Sequence, residues 1–221
     1  MIPTVQALAD ERCNRLSEKR YASDPGLSAH AAKISASVRA FHAGDADVLA
    51  RTIPAALHKA PHLAVESECA LNLPEQAFRL AAHGQNPVGA HVPYTGVGRR
   101  RVIDLIVYDR RTSTIKFFEI KRGTDGLGAD QRRQRLIDDA VLRLIGVDYA
   151  RRQRGHPAIA AEAGVISYYG LSGLPAENTL RGADIDAAFG WPVRHIVEAH
   201  LTYFREICER AVPGLTAQGE P

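Results

Sequence analysis

Residues 101–121 read RVIDLIVYDRRTSTIKFFEIK, two runs rich in β-branched and aromatic residues separated by the polar stretch Asp109 to Ser113. Runs of this kind, broken by a short turn-forming segment, predict a β-hairpin. The first run, Val102 to Val107, is apolar except for Asp104, and reads as a strand buried on both faces. An ionised carboxylate in that setting is costly unless something compensates it. Glu119 interrupts the second run in the same way. Because side chains alternate along a strand, Glu119 and Lys121 project from one face while Phe118 and Ile120 project from the other. Folding the two runs around Arg111 puts both carboxylates several residues from the turn, where they come side by side. Their mutual repulsion is relieved by a divalent cation, since hard cations favour oxygen ligands and bind through one or two carboxylates with a substrate phosphate completing the shell. Lys121, next on the same face, then lies within reach of a metal-bound water or a scissile phosphate, where an ammonium stabilises developing negative charge.

Working outward, VGAHVPYT (88–95) predicts a third strand beside this pair, forming a three-stranded antiparallel unit. Asn72-Leu73-Pro74-Glu75 supplies an N-cap, an early Pro and an acid at the capping-box position, predicting a helix from Pro74 to His83 that Gly84 stops. Downstream of the hairpin, Asp130 is placed to cap a helix. Its apolar stripe is Leu136, Ile137, Ala140, Val141, Leu144 and Ile145, and it is expected to end at Gly146. Arg132, Arg133, Arg135 and Arg143 fall largely off that stripe. A strand GVISYYG (164–170) and a last amphipathic helix carrying Val193, Ile196, Val197, His200, Leu201 and Phe204 follow. The first 60 residues read as helices, LSAHAAKISASVRAFHAG and DADVLARTIPAALHKA, separated at Gly44 with Asp45 as N-cap and kinked or ended by Pro54. The expectation is an α/β domain at 63–212 in the order αβββαβα, with a central mixed sheet flanked by helices. A helical N-terminal extension at 1–62 precedes it, and a frayed tail at 213–221 follows.

An Asp on one strand and Glu-X-Lys on the next, preceded by an acidic helix and followed by a basic one, resembles the PD-(D/E)XK nuclease superfamily over roughly residues 72–204. That resemblance implies a restriction-endonuclease-like core and a Mg2+-dependent deoxyribonuclease, an endonuclease, with Mn2+ as a substitute metal. It implies Asp104 and Glu119 as metal ligands, joined by the Ile120 carbonyl, and Lys121 as the catalytic lysine. A further carboxylate on the preceding helix falls best on Glu75, with Glu68 in reserve, and Gln131 or Gln134 matches a Gln on the following helix. Ile103 stands where the fuller pattern has Pro.

From Arg99 to Arg154 the chain carries 15 Lys and Arg against 8 Asp and Glu, so in a chain of net charge +3 the remainder is acidic. Positive charge concentrated in this way is the footprint of a phosphate-contacting surface. Arg99, Arg100, Arg101, Arg122, Gln131, Arg132, Gln134 and Arg135 are the candidate nucleic-acid contacts. Those to the backbone position a nucleic acid without reading its sequence. DNA is the expected partner, and a homodimer or a partner methylase, helicase or transposition protein is compatible with the sequence. The loop Gly123-Thr124-Asp125-Gly126-Leu127-Gly128 has glycines in the order GxxGxG, and with no GxxxxGK[ST] in the chain it does not carry a nucleotide-cofactor reading. No segment approaches the roughly 20 apolar residues of a membrane span. Three widely spaced cysteines, Cys13, Cys69 and Cys208, argue against a disulfide framework and fit a reducing cytoplasm. The rival readings are a non-catalytic nucleic-acid-binding module that keeps the fold, and a structural protein whose N-terminal helices bind a partner.

Overall fold

The computed structural model describes residues 1–18, 28–82, 91–123 and 126–212. In chain order its elements are α1 (Pro3–Glu18), α2 (Ala29–Leu57), β1 (Leu63–Leu73), α3 (Glu75–Ala82), β2 (Arg99–Asp109), β3 (Thr114–Lys121), α4 (Ala129–Arg154), β4 (Ala160–Ser167), β5 (Thr179–Arg181), α5 (Ile185–Phe189) and α6 (Arg194–Ala211). They divide into two units, Met1–Ala56 with Pro192–Pro221, and Leu57–Trp191.

The second unit is built on a five-stranded mixed sheet in the order β1-β2-β3-β4-β5. The strands β1, β2 and β3 run antiparallel in sequence, and β4 and β5 are parallel to β3. The parallel step from β3 to β4 needs a crossover, and α4 supplies it. Along β3, Ile115 and Phe117 point to the face that α4 covers, where they join Ile106, Tyr108, Val141, Leu142, Ile145 and Tyr149 in one apolar cluster. The alternate residues, Lys116 and Phe118, point to the other face. There Phe118 meets Phe189 of α5 edge-on at 5.8 Å, and Lys116 Nζ donates to the Ala188 carbonyl at 3.3 Å. Helices thus flank both faces of the sheet.

Several sequence expectations are corrected here. VGAHVPYT does not extend the sheet within its described residues, 91–95. The Val92 N–H donates to the Leu144 carbonyl and the Tyr94 N–H to Asp148 Oδ2, so the segment lies along α4. The third antiparallel strand is instead β1, ahead of α3, whose Glu66, Ser67 and Glu68 disguise its period. The predicted end of the preceding helix at His83 and Gly84, and residues 88–90, lie outside the described residues. Second, Gly146 does not end α4, which continues to Arg154 and closes on Gly155 in the left-handed conformation, φ 66°. A Cβ at Gly146 would meet Ala161 Cβ at 2.6 Å and a Phe117 ring carbon at 2.8 Å. The glycine therefore lets the helix lie close on the sheet. Gly146→Ala is expected to cost about 1–3 kcal/mol by overpacking, read as a lower midpoint in urea. The α4 N-cap is Gly128, whose N–H donates to Gln131 Oε1 at 3.1 Å, and Asp130 sits in the first turn instead.

Third, the two N-terminal helices expected on either side of Gly44 are one helix, α2, running through Gly44 and Pro54. Gly44 faces Phe204 of α6, and a Cβ there would meet the ring at 2.5 Å, so its smallness serves helix contact. In this unit α6 also pairs with α1, through the Ile2 N–H to His200 Nε2 at 2.9 Å and Tyr203 to Asp10 at 2.6 Å. The last helix, placed by sequence within a 63–212 domain, groups with the N-terminal helices because its apolar face is met there. The tail at 213–221 lies outside the described residues. Among the described residues no helix is long and apolar enough to cross a membrane.

Candidate active site

Backbone pairing between β2 and β3 runs from Asp109↔Thr114 to Leu105↔Phe118 and stops there. The next facing positions are Asp104 and Glu119. Where the backbone ladder ends, a side chain takes over: Asp104 Oδ2 accepts the Ile120 N–H at 2.8 Å. This bond fixes one oxygen of Asp104 and leaves β2 and β3 joined by a carboxylate in place of a backbone carbonyl.

Glu119 is held from two sides. Lys121 Nζ lies 2.5 Å from Oε1, and the Arg135 guanidinium donates to Oε2. Arg135 comes from the first half of α4 and is almost enclosed, with 11% of its side chain exposed. Its NH2 group also reaches Asp139 Oδ1, one helical turn on, at 2.6 Å and the Gly164 carbonyl of β4 at 2.9 Å. Asp139 is fully buried, and its second oxygen accepts from Asn178 Nδ2 at 3.1 Å. A chain of charge-assisted contacts thus links Glu119, Arg135, Asp139 and Asn178.

The electrostatics follow from burial and these partners. Burial raises the Asp104 carboxyl above its ordinary range, the Ile120 N–H opposes this, and the neighbouring Glu119 charge adds to it. For Glu119 burial also pushes upward, but Arg135 and Lys121 outweigh it and hold the group below its ordinary range. Asp139 is raised, by burial first, against the pull of Arg135 and Asn178. A carboxyl whose folded pKa is raised contributes stability at low pH that is lost as pH rises through the folded value. In chelator, Asp104→Asn should therefore gain stability relative to the parent between pH 4 and pH 8. Urea unfolding at the two pH values checks this, with a constant difference as the contrary result.

Two half-buried carboxylates in facing positions, with a lysine beside them, are a hard-oxygen donor set of the size that magnesium uses when waters and a phosphate complete its shell. Asp104 and Glu119 are the residues here that could hold such an ion. Among the described residues no group of three or more His, Cys, Asp or Glu side chains is arranged to hold a metal. Glu75 stands at the start of α3, exposed, and its carboxylate is taken by Arg99 at 2.6 and 3.0 Å. Arg99 lies five residues before Asp104 on β2. Glu68 has the β1 position facing Asp104, between the pairs Ser67↔Leu105 and Cys69↔Ile103, with a positive φ of 53°. Its strand position is thus nearer the pair than that of Glu75. Ile120 contributes its N–H to Asp104.

The basic residues separate into bound and outward groups. Arg99 also lies over the Phe78 ring, Arg101 pairs with Asp138 at 2.5 Å, and Gln134 donates to the other Asp138 oxygen at 2.8 Å. Gln131 caps α4. Arg132 reaches the Gly173 carbonyl at 3.5 Å, and Arg122 lies over Tyr169 at 5.4 Å. Arg135, expected among the nucleic-acid contacts, faces the carboxylates. Arg100 and Arg133 are exposed. Sequence reasoning missed Asp139 and Asn178, and the signal for the first was its i,i+4 spacing from Arg135.

Comparison with known proteins finds no matching family model, no similar curated protein and no similar solved structure, so the site's own geometry carries the functional reading.

Proposed function

We propose that this chain is a Mg2+-dependent nuclease of the PD-(D/E)XK type that hydrolyses phosphodiester bonds in DNA. The observation that carries the reading is the placement of Asp104 and Glu119 in facing positions where the β2–β3 ladder ends, with Lys121 one alternation further on the same face. The order of three antiparallel strands, a crossover helix and a parallel fourth strand supports a restriction-endonuclease-like core. Magnesium, or manganese in its place, supplies polarisation of the phosphate and a lowered pKa for water. Asp104, its Oδ2 fixed by the Ile120 N–H, and Glu119 hold the cation. Lys121, half exposed, orients the attacking water or stabilises charge developing on the phosphoryl oxygens. Exposed Arg100 and Arg133 contact the backbone of the nucleic acid.

A second reading, a nucleic-acid-binding module that keeps the fold without chemistry, draws on one observation: Glu119 already has two cationic partners. The two are separated by incubating linear, circular and single-stranded DNA with Mg2+ or Mn2+. Metal-dependent cleavage supports the nuclease. Tight binding without cleavage supports the module, and neither binding nor cleavage removes both. In the same preparation, Arg100→Ala and Arg133→Ala should each weaken DNA binding with little regard to sequence and reduce the slope of log K against log salt by about 1. An unchanged slope would take those arginines off the interface.

A further inference from the structure

Arg135 has one guanidinium and two carboxylate partners. One, Glu119, belongs to the proposed metal pair and is 30% exposed at its side chain, while the other, Asp139, is fully buried and anchored by Asn178. The Gly164 carbonyl gives the guanidinium a third acceptor that does not depend on Glu119. A cation arriving at Asp104 and Glu119 competes with Arg135 for the same carboxylate. A buried guanidinium that lost its sole partner would be very costly. Arg135 does not face that cost, because Asp139 and Gly164 remain.

We infer that Arg135 is a built-in counter-cation for Glu119, exchangeable with the metal ion, and that Asp139 is the fixed anchor that makes the exchange affordable. Resting on the metal-centre reading above, this makes Arg135 and Asp139 positioning residues that set cation affinity. Counting formal charges, Asp104, Glu119 and Asp139 against Lys121 and Arg135 leave the cluster at about −1. Removing the arginine makes it more negative and frees Glu119. Neutralising Asp139 does the reverse, since the guanidinium then has Glu119 as its only charged partner. The two changes therefore shift cation affinity in opposite directions, which general loosening of the site cannot do.

The test is calorimetric titration of the full chain with Mn2+ and, separately, Mg2+, with melting in chelator to confirm folding. Arg135→Gln is expected to tighten binding about tenfold and Asp139→Asn to weaken it about tenfold. Arg135→Lys, which keeps the charge, should return affinity toward the parent. Asp139→Asn is nearly isosteric and retains the Asn178 contact, so it remains informative if Arg135→Gln does not fold. In that event the guanidinium NMR signals of Arg135 in the parent protein provide the second measurement. They should move on Mg2+ addition, and signals that stay fixed overturn the inference. Affinities that fall in both variants, or change in neither, also overturn it while leaving the metal centre intact, provided parental binding is lost in Glu119→Ala. A parent that binds neither cation removes the metal-centre reading, and this inference falls with it.

Discussion

In the proposed nuclease, Glu119→Ala and Asp104→Ala should each reduce Mg2+-dependent DNA cleavage by about 10³-fold or more, to the level of a preparation without metal. Each substitution removes one of two facing carboxylates, and the remaining one, with Lys121 and Arg135 still in place, offers a cation a site already balanced by positive charge. The loss should appear in turnover and not in DNA affinity, since the exposed arginines are untouched. Removing negative charge beside a phosphate should tighten binding slightly. Lys121→Ala should also lower turnover, but with cation affinity retained or tightened, because an ammonium is no metal ligand and its removal frees one Glu119 oxygen. Cleavage measured under single-turnover conditions, together with DNA affinity at fixed salt, checks both halves. Equal cleavage by parent and variants would show that the activity resides elsewhere.

The second large effect is on stability. Arg135→Ala should cost about 3–5 kcal/mol near neutral pH, because it leaves the fully buried Asp139 without its cation and Glu119 with Lys121 alone. The cost should depend on pH. Burial already raises the Asp139 carboxyl, and without Arg135 it rises further. Protonation then relieves the defect in acid, and stability falls as pH climbs through the new value. The gap between variant and parent in urea should therefore widen from pH 4 to pH 8. A gap that is small and flat would mean that the buried network contributes little to folding.

The candidate site was legible where chemistry conflicts with local pattern. Asp104 and Glu119 are charges inside runs whose other residues demand burial, and a period of two was enough to put Glu119 and Lys121 on one face. Arg135, Asp139 and Asn178 were not legible for the opposite reason. On a helix that reads QRRQRLIDD, three arginines and two aspartates look like a solvated face, and only the lie of α4 on the sheet turns Arg135 and Asp139 inward. Asn178 comes from a short 3-10 turn with no periodicity to read. The fold shows the same contrast. The hairpin and the crossover helix follow from apolar runs, whereas β1 escaped because Glu66-Ser67-Glu68 breaks its alternation. VGAHVPYT looked like a strand because composition alone cannot say whether its N–H groups will meet another strand or the flank of a helix.

The sheet unit is a continuous stretch, 57–191, bracketed by segments that belong together in the helical unit. Its beginning and end adjoin, since His62 Nε2 donates to the Phe189 carbonyl at 3.0 Å and the His62 and Trp191 rings lie 6.5 Å apart. A short bridge is thus enough to join the two ends into a ring, and new termini opened at the exposed β2–β3 turn, residues 110–113, would leave every strand unbroken. The carboxylates depend on register within the sheet, so their geometry is indifferent to where translation starts.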